Sequence, residues 1–273
     1  MSFSVHSFKT QLAVDQLTIC LSKHFNRLTH PDPLIEQQKT QHWNDLKHQA
    51  PGLFNASKFR LQTLSEDQFS SSLRMEWGLT DYASYLGTCC SKLCPQLLQD
   101  ETTDAQVVLI KRSNKVGLYQ NLYDTPGGHP EPMNIELTEE VLQKLEDQGN
   151  KLKRMQFEDA AKQEFYQSIA NEVYEEVNLS LQQQEPPMLM GVVLQTDACT
   201  PSFAFYIKAQ CSAAELIEMY RAGPSDKFES VDLKLLSADS LLAERSTLLH
   251  GLELTPSAEG TLQLWKQHTL QFN

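Results

Sequence analysis

Two segments constrain this chain more than any others. Pro126-Gly127-Gly128-His129-Pro130-Glu131-Pro132 is a turn whose paired glycines let backbone approach a neighbour closely. About forty residues later comes Asn171-Glu172-Val173-Tyr174-Glu175-Glu176-Val177-Asn178-Leu179. Residues three and four apart are neighbours on a helix, so its three glutamates line one edge. Carboxylates crowded this way repel each other unless a cation sits among them. Diphosphate chemistry calls for both parts: a tight loop near the substrate and acidic oxygens that hold Mg²⁺ against phosphoryl oxygens.

The hydrophobic pattern upstream of the glutamates predicts a long helix over 157–177. At about 100° per residue, Phe165, Ile169, Val173 and Val177 trace one drifting apolar stripe, with Tyr166, Ala170 and Tyr174 beside it. Glu172 and Glu176 fall at the edge of that stripe and Glu175 lies further round. Acids on the border of a buried face can be partly desolvated and still reach a cation in a cleft. Seen alone, the same segment reads as a Glu-rich surface helix; the twin-glycine loop upstream, together with the four matching segments named below, shifts the balance.

The rest of the chain gives a mixed α/β pattern. Residues 1–100 mix short helical stretches with loops: a helix over 35–49, short strands over 53–64 and 72–78, and a helix starting at 80–86 near Thr80 or Asp81. Strands are predicted over 106–111 and 116–123. The polar stretch 133–158 reads as an insertion, partly helical and mobile. Strands over 188–196 and 202–209 form an antiparallel pair joined across Pro201. A helix over 212–221 is capped by Ser212 and ended by Gly223-Pro224. A strand over 230–236 and a closing helix over 257–268 complete the pattern. The change in texture near residue 100 suggests a smaller α+β region over 1–100, contributing to the binding pocket, and a main domain over 101–273.

The net charge of −12, with no basic cluster, argues against nucleic-acid binding. No apolar run reaches membrane-spanning length, and the N-terminus lacks a charged start followed by a long apolar core. Six cysteines without a secretion signal read as reduced thiols, which points to the cytoplasm and is also compatible with the nucleus. Cys89, Cys90 and Cys94 lack a partner pair at zinc-site spacing.

The two opening segments resemble the signature of the Nudix hydrolases, a Gly-containing loop leading to a helix of the pattern R-E-aliphatic-x-E-E-x-G-aliphatic. Here Asn171 stands where that family has its bracing Arg, and Asn178 where it has Gly. Asn at a left-handed helix C-cap is a mild change. The family's earlier helix glutamate falls near Gln163, with Glu164 one residue out of step. PGGHPEP, the long insertion and EVNL, preceded by LFNASKFRL and GLTDYASYLGT, look like the Nudix-type motif 22 branch. That resemblance spans roughly residues 43 to 265 and is strongest at 53–61, 78–88, 124–132 and 172–179.

The resemblance implies an α/β/α sandwich with a mixed sheet, and Mg²⁺-dependent hydrolysis of UDP-glucose and UDP-galactose to UMP and a sugar 1-phosphate. It implies Glu172 and Glu176 as metal ligands, with Glu175 a third catalytic acid, and Glu175 or Glu176 as general base. Carried over by local motif, the substrate contacts are Phe54 and Tyr82 as aromatics, Arg112 for phosphate, Gly117 through its backbone, and Asp124, His129 and Glu131 around the glycines. Phe54 reads equally well as core packing. A small-molecule UDP-sugar is the expected partner, with neither nucleic acid nor membrane, and oligomeric state is left open. Two alternatives remain: a pyrophosphatase for another nucleoside diphosphate derivative, and a catalytically silent fold that binds a nucleotide or a protein, which the replacement at Asn171 motivates.

Overall fold

The computed structural model describes residues 3–29, 33–67, 72–88, 108–114, 119–195, 200–224, 230–242 and 251–272. The strands and helices run β1 Phe3–Leu12, β2 Leu17–Leu21, α1 Pro33–Gln49, β3 Ser57–Asp67, β4 Ser72–Asp81, α2 Tyr82–Thr88, β5 Val108–Arg112 and β6 Tyr123–Asp124. They continue with α3 Glu139–Asp147, α4 Lys151–Val177, β7 Met188–Gln195, β8 Thr200–Tyr206, α5 Ala213–Ala222, β9 Ser230–Leu235, α6 Ala238–Leu242 and α7 Pro256–Phe272.

The antiparallel sheet β1-β7-β8 is the middle layer of an α/β/α sandwich. Side chains alternate across a strand, so Val192 and Leu194 meet Phe165 and Tyr166 of α4 while Val193 meets Leu264 and Trp265 of α7. The register shifts between Leu189 and Gly191. Met190 therefore packs with the α7 cluster, and the next residue, Gly191, also faces Leu264. A bulge that turns two successive residues to one side needs the smaller of them to be small, and the His6 carbonyl closes the remaining space at Gly191.

A second sheet, β2-β4-β3, has β2 parallel to β4 and β3 antiparallel to it. Leu17, Ile19, Leu21, Met75 and Trp77 extend the same core that Phe165 anchors from α4. Trp77 meets Phe165 edge-on, with ring centroids 5.3 Å apart. The third sheet, β6-β5-β9, carries Ile110 against Val177 and Leu179 at the end of α4. The mixed α/β architecture expected from the sequence is therefore present.

Several local expectations need correction. Residues 3–21 form two strands rather than helical turns and loops. Because β1 pairs with β7, the first strand is hydrogen-bonded into a sheet whose other strands come from beyond residue 100. The textural change near residue 100 thus does not separate two cores. Pro201 lies inside β8 opposite Leu194, where the strand is at the sheet edge and tolerates a residue without an N–H. Residues 116–118 of the strand expected over 116–123 lie outside the described residues, and 119–122 form a turn before β6.

The stretch 133–158 is helical over most of its length and packs on the rest of the protein. Leu142 and Leu145 of α3 are buried, and Thr138 caps that helix by accepting from the Val141 N–H. Asn150 caps α4, which begins six residues earlier than the apolar pattern suggests. Glu146 accepts from the Ser22 hydroxyl and the Lys23 N–H, and Glu158 accepts from the Leu21 N–H at 3.0 Å. These polar residues disguise a docked hairpin as a loop, because its partners lie more than a hundred residues away.

Among the described residues no helix is long and apolar enough to cross a membrane. Cys20 and Cys211 are free thiols, and the other four cysteines lie outside the described residues.

A Cβ at Gly191 would strike the His6 carbonyl and the Leu264 side chain, whereas one at Gly52 would meet nothing. Gly191→Ala is therefore expected to destabilise the fold by about 1–3 kcal/mol. Gly52→Ala should stay within about 0.5 kcal/mol of the parent. Chemical denaturation of the two variants checks this, and equal stabilities would contradict the assigned packing of α7 on the sheet.

Candidate active site

The C-terminal half of α4 runs beside the twin-glycine bend and grips it through carboxylates. Glu176 is buried, and its Oε2 accepts the Gly127 N–H at 2.9 Å. The Glu172 carboxyl occupies the space that a Cβ on Gly128 would need. Gly128 is thus required for close approach of backbone to an acid, the use for which glycine is suited. One helical turn after another, Glu164 adds a third grip: its Oε1 accepts the Glu131 N–H and the Asn134 side-chain amide, both at 2.9 Å.

Helix geometry explains which acids take part. Eight residues separate Glu164 from Glu172, about 800° of rotation, so the two stand roughly 80° apart on one side of the helix. Gln163 is nine residues from Glu172, about 900°, and faces the opposite way. Gln163 is exposed while Glu164 is buried. The earlier acid of this helix is therefore Glu164, and the expected position near Gln163 is set aside.

Asn171, at the position where the Nudix signature that this segment resembles has Arg, also finds its physical context here. Asn171 accepts from Gln167 along the helix surface. The Gly127 amide gives Glu176 a donor, a bracing role otherwise open to a guanidinium. Asn178 adopts the left-handed conformation, φ 64°, and its side chain donates to the Met219 carbonyl at 2.7 Å. It ends the helix as glycine would, and it also ties that end to α5.

Two ion pairs flank the bend. From β3, Lys58 pairs with Glu131, and its ammonium stands 5.6 Å from the centre of the Tyr82 ring. From β5, Arg112 donates to Asp124 Oδ2 at 3.2 Å. The other Asp124 oxygen accepts the Thr255 hydroxyl at 2.7 Å and the Thr125 N–H at 3.0 Å. Burial raises the Asp124 pKa, against the opposing pull of Arg112 and those hydrogen bonds. With both oxygens engaged by protein donors, Asp124 holds Arg112 in place beside the bend.

His129 is exposed at the tip of the bend, and both cations are near enough to act on its charge. It keeps accessible surface, yet protein crowds it closely enough that lost hydration lowers its pKa to about 4, with Lys58 and Arg112 acting in the same direction. Its ring meets Tyr85 edge-on at 6.0 Å; Tyr85 in turn stacks on Tyr82 at 6.0 Å, and Trp43 meets Tyr82 edge-on at 6.4 Å. An aromatic run thus leads from α1 and α2 to the glycines. The Asp81 carboxylate caps α2 by accepting from the Ser84 N–H, which seats Tyr82 and Tyr85.

The remaining expected residues divide. Phe54 is 70 % exposed, so it does not serve the core, and it sits in the loop whose Ala56 carbonyl accepts the Tyr82 N–H. Glu175 is exposed, and among the described residues no three acids, histidines or cysteines cluster as a ready-made cation cage. Gly117 lies outside the described residues. The carboxylates at the bend nonetheless suit Mg²⁺, which is usually held by one or two carboxylates together with substrate phosphates and water. Lys58, Tyr85, Trp43, Glu164 and Thr255 were not singled out from sequence for this site. Only Glu164 carried a usable signal, its helical phase with Glu172.

Comparison with known proteins agrees with this architecture. No family model matches the chain. It is 28% identical over 257 aligned positions to Nudix hydrolase 9 of Arabidopsis thaliana, covering 84% of this chain and 81% of that protein. It is 27% identical to the uridine diphosphate glucose pyrophosphatase NUDT22 of Mus musculus, covering 94% and 87% of the two chains. The Homo sapiens protein of the same name is 28% identical over 94% of this chain and 89% of its own.

Two outcomes are expected from the site's packing and charge. Glu164→Ala strands the Glu131 N–H and the Asn134 amide without an acceptor, and should lower stability by about 1–3 kcal/mol in chemical denaturation. His129 should remain neutral from pH 8 to pH 5 and titrate near 4 by NMR. Its folded pKa lies below the unfolded value of about 6.5, so its contribution to stability is present above that value and declines as pH falls toward 4. A midpoint above 6 would contradict the crowding of His129 by protein and the action of Lys58 and Arg112 on it.

Proposed function

We propose that this Nudix-like, NUDT22-like chain hydrolyses the diphosphate of UDP-glucose, and of UDP-galactose, to UMP and a sugar 1-phosphate with Mg²⁺ as cofactor. One observation carries the proposal: Glu172 and Glu176 converge on the twin-glycine bend, where bare backbone, two cations and an aromatic run also meet. The names of the curated relatives support the substrate class, since three of them are uridine diphosphate glucose pyrophosphatases.

The chain's own residues divide the work. Glu172 and Glu176 would hold the cation. Bound there, Mg²⁺ would supply charge neutralisation across the phosphoryl oxygens and acidification of water. Arg112, held by Asp124, presents a planar donor fork to a phosphate. His129, neutral at working pH, donates one N–H to phosphate or sugar without adding charge. Phe54 and Tyr82 offer ring faces to uracil, an interaction worth about 1–3 kcal/mol per base. Glu175 or Glu176 would accept a proton from the attacking water, Glu176 lying against the bend and Glu175 exposed beside it.

Incubation with Mg²⁺ and a panel of UDP-sugars, ADP-ribose, dinucleotides and CoA esters tests the substrate. UMP and sugar 1-phosphate from UDP-sugars alone are expected, with turnover lost on adding a chelator. Cleavage of another diphosphate instead would move the substrate class, and no turnover of any would leave a silent binding module. Glu176→Gln keeps an acceptor for the Gly127 N–H but loses the charge, so kcat should fall by about 10²-fold or more with an unchanged circular dichroism spectrum. Full activity in that variant would remove Glu176 from the mechanism.

A further inference from the structure

We propose that Lys58 is a second phosphate-binding cation of this site, held in position by Glu131 until a diphosphate displaces that carboxylate. The proposal rests on the reading of the site as one for a nucleoside diphosphate sugar, and it names the residue that would read the diphosphate.

Three observations support it. First, Lys58 points at the bend. Its ammonium pairs with Glu131, the acid of the PGGHPEP turn, and stands over the Tyr82 ring at 5.6 Å. A lysine at the start of an edge strand has no need to reach across to another element. This one does so with a side chain only 16% exposed.

Second, the pair is unfinished as a structural bridge. The second carboxylate oxygen of Glu131, Oε2, is buried and has no hydrogen-bond partner among the described residues. An ionised oxygen without a donor is costly to bury. A purely structural ion pair is stable when its remaining lone pairs are satisfied. Here a donor is missing, and a sugar or ribose hydroxyl brought in with a ligand would supply it. Glu131 can therefore give up the ammonium for a hydroxyl while Lys58 turns to phosphate.

Third, two cations from different sheets stand near the bend. Lys58 approaches from β3 and Arg112 from β5, each paired with an acid at the bend, Glu131 of the turn or Asp124 of β6, and both cations act on His129. The two pairs differ in one respect. Asp124 is saturated by Thr255, Thr125 and Arg112, so Arg112 stays where it is. Glu131 has no such set, and Lys58 is the cation that can change partner. An ammonium is a point charge on a flexible stem, suited to that exchange, whereas a guanidinium is suited to a fixed fork.

The test compares the affinity of UDP with that of uridine, by calorimetry in the full-length protein. The two ligands share a base and a ribose and differ in the diphosphate. In Lys58→Met, UDP is expected to bind at least tenfold more weakly than in the parent, while uridine binds within twofold. Lys58→Arg should recover most of the UDP affinity. Unchanged uridine binding shows that the variant is folded with its aromatic run intact. If UDP and uridine lose affinity by the same factor, Lys58 merely braces the loop and the proposal fails while the nucleotide site stands. A parent protein that binds neither ligand overturns both the site and this use of Lys58. With UDP-glucose as substrate, Lys58→Met should raise KM at least tenfold and change kcat less than threefold; a fall in kcat at constant KM would also count against the proposal.

Discussion

The hydrogen bond from the Gly127 amide to the Glu176 carboxylate is the contact on which the rest of the site is arranged. It forms because Gly128 has no Cβ, which leaves the Glu172 carboxyl room to lie directly against the bend. A helix approaching a loop this closely would otherwise separate by the width of a side chain. Glu164 repeats the device about three turns earlier, where it accepts from the Glu131 amide. Acids on one side of a helix thus fix a loop through its backbone. That arrangement is indifferent to the loop's side chains and leaves His129 and Glu131 available for other partners.

An acidic chain that handles an acidic ligand has to concentrate positive charge locally. With a net charge of −12, it does so by bringing single cations from separate strands to one bend. Lys58 comes from the sheet β2-β4-β3 and Arg112 from β6-β5-β9, while the acids come from the helix between them. Helix α4 joins these sheets, since Phe165 and Tyr166 share a core with Trp77 while Val177 packs with Ile110, and that packing sets the electrostatics as well as the stability. The docked hairpin at α3 contributes to the same end. By tying the start of α4 to Leu21, Ser22 and Lys23, it fixes the helix relative to the sheet that carries Lys58.

Much of this was legible along the chain wherever the determining contacts are local. Helix α5 has a capping box in which Ser212 and Glu215 bond each other's backbone, four residues that announce themselves in sequence. The boundaries of α1 and β9 follow from punctuation by Pro and Gly and from apolar period. Strands β1 and β2 were missed because Phe3, Phe8 and Leu12 are buried with polar residues between them, an alternation broken by the register shift between Ser7 and Leu12. Pro201 misled for a related reason, since an edge position makes its missing N–H harmless. The hairpin at 133–158 was read as loose because its buried leucines are few and its carboxylates look solvated until their distant partners are known.

Sequence by itself determined the chemistry on offer: paired glycines, a glutamate-rich helix of the right length, and an asparagine able to end it in a left-handed turn. Those depend on backbone conformational freedom and helical period, which act over a few residues. Tertiary structure decided which groups meet. It selected Glu164 over Gln163, set Glu175 out in solvent, saturated Asp124 with Thr255, and brought Lys58 to Glu131 across seventy-three positions of chain. Charge pairing and burial depend on distance in space, and no pattern along the chain records a distance that only packing between sheets creates.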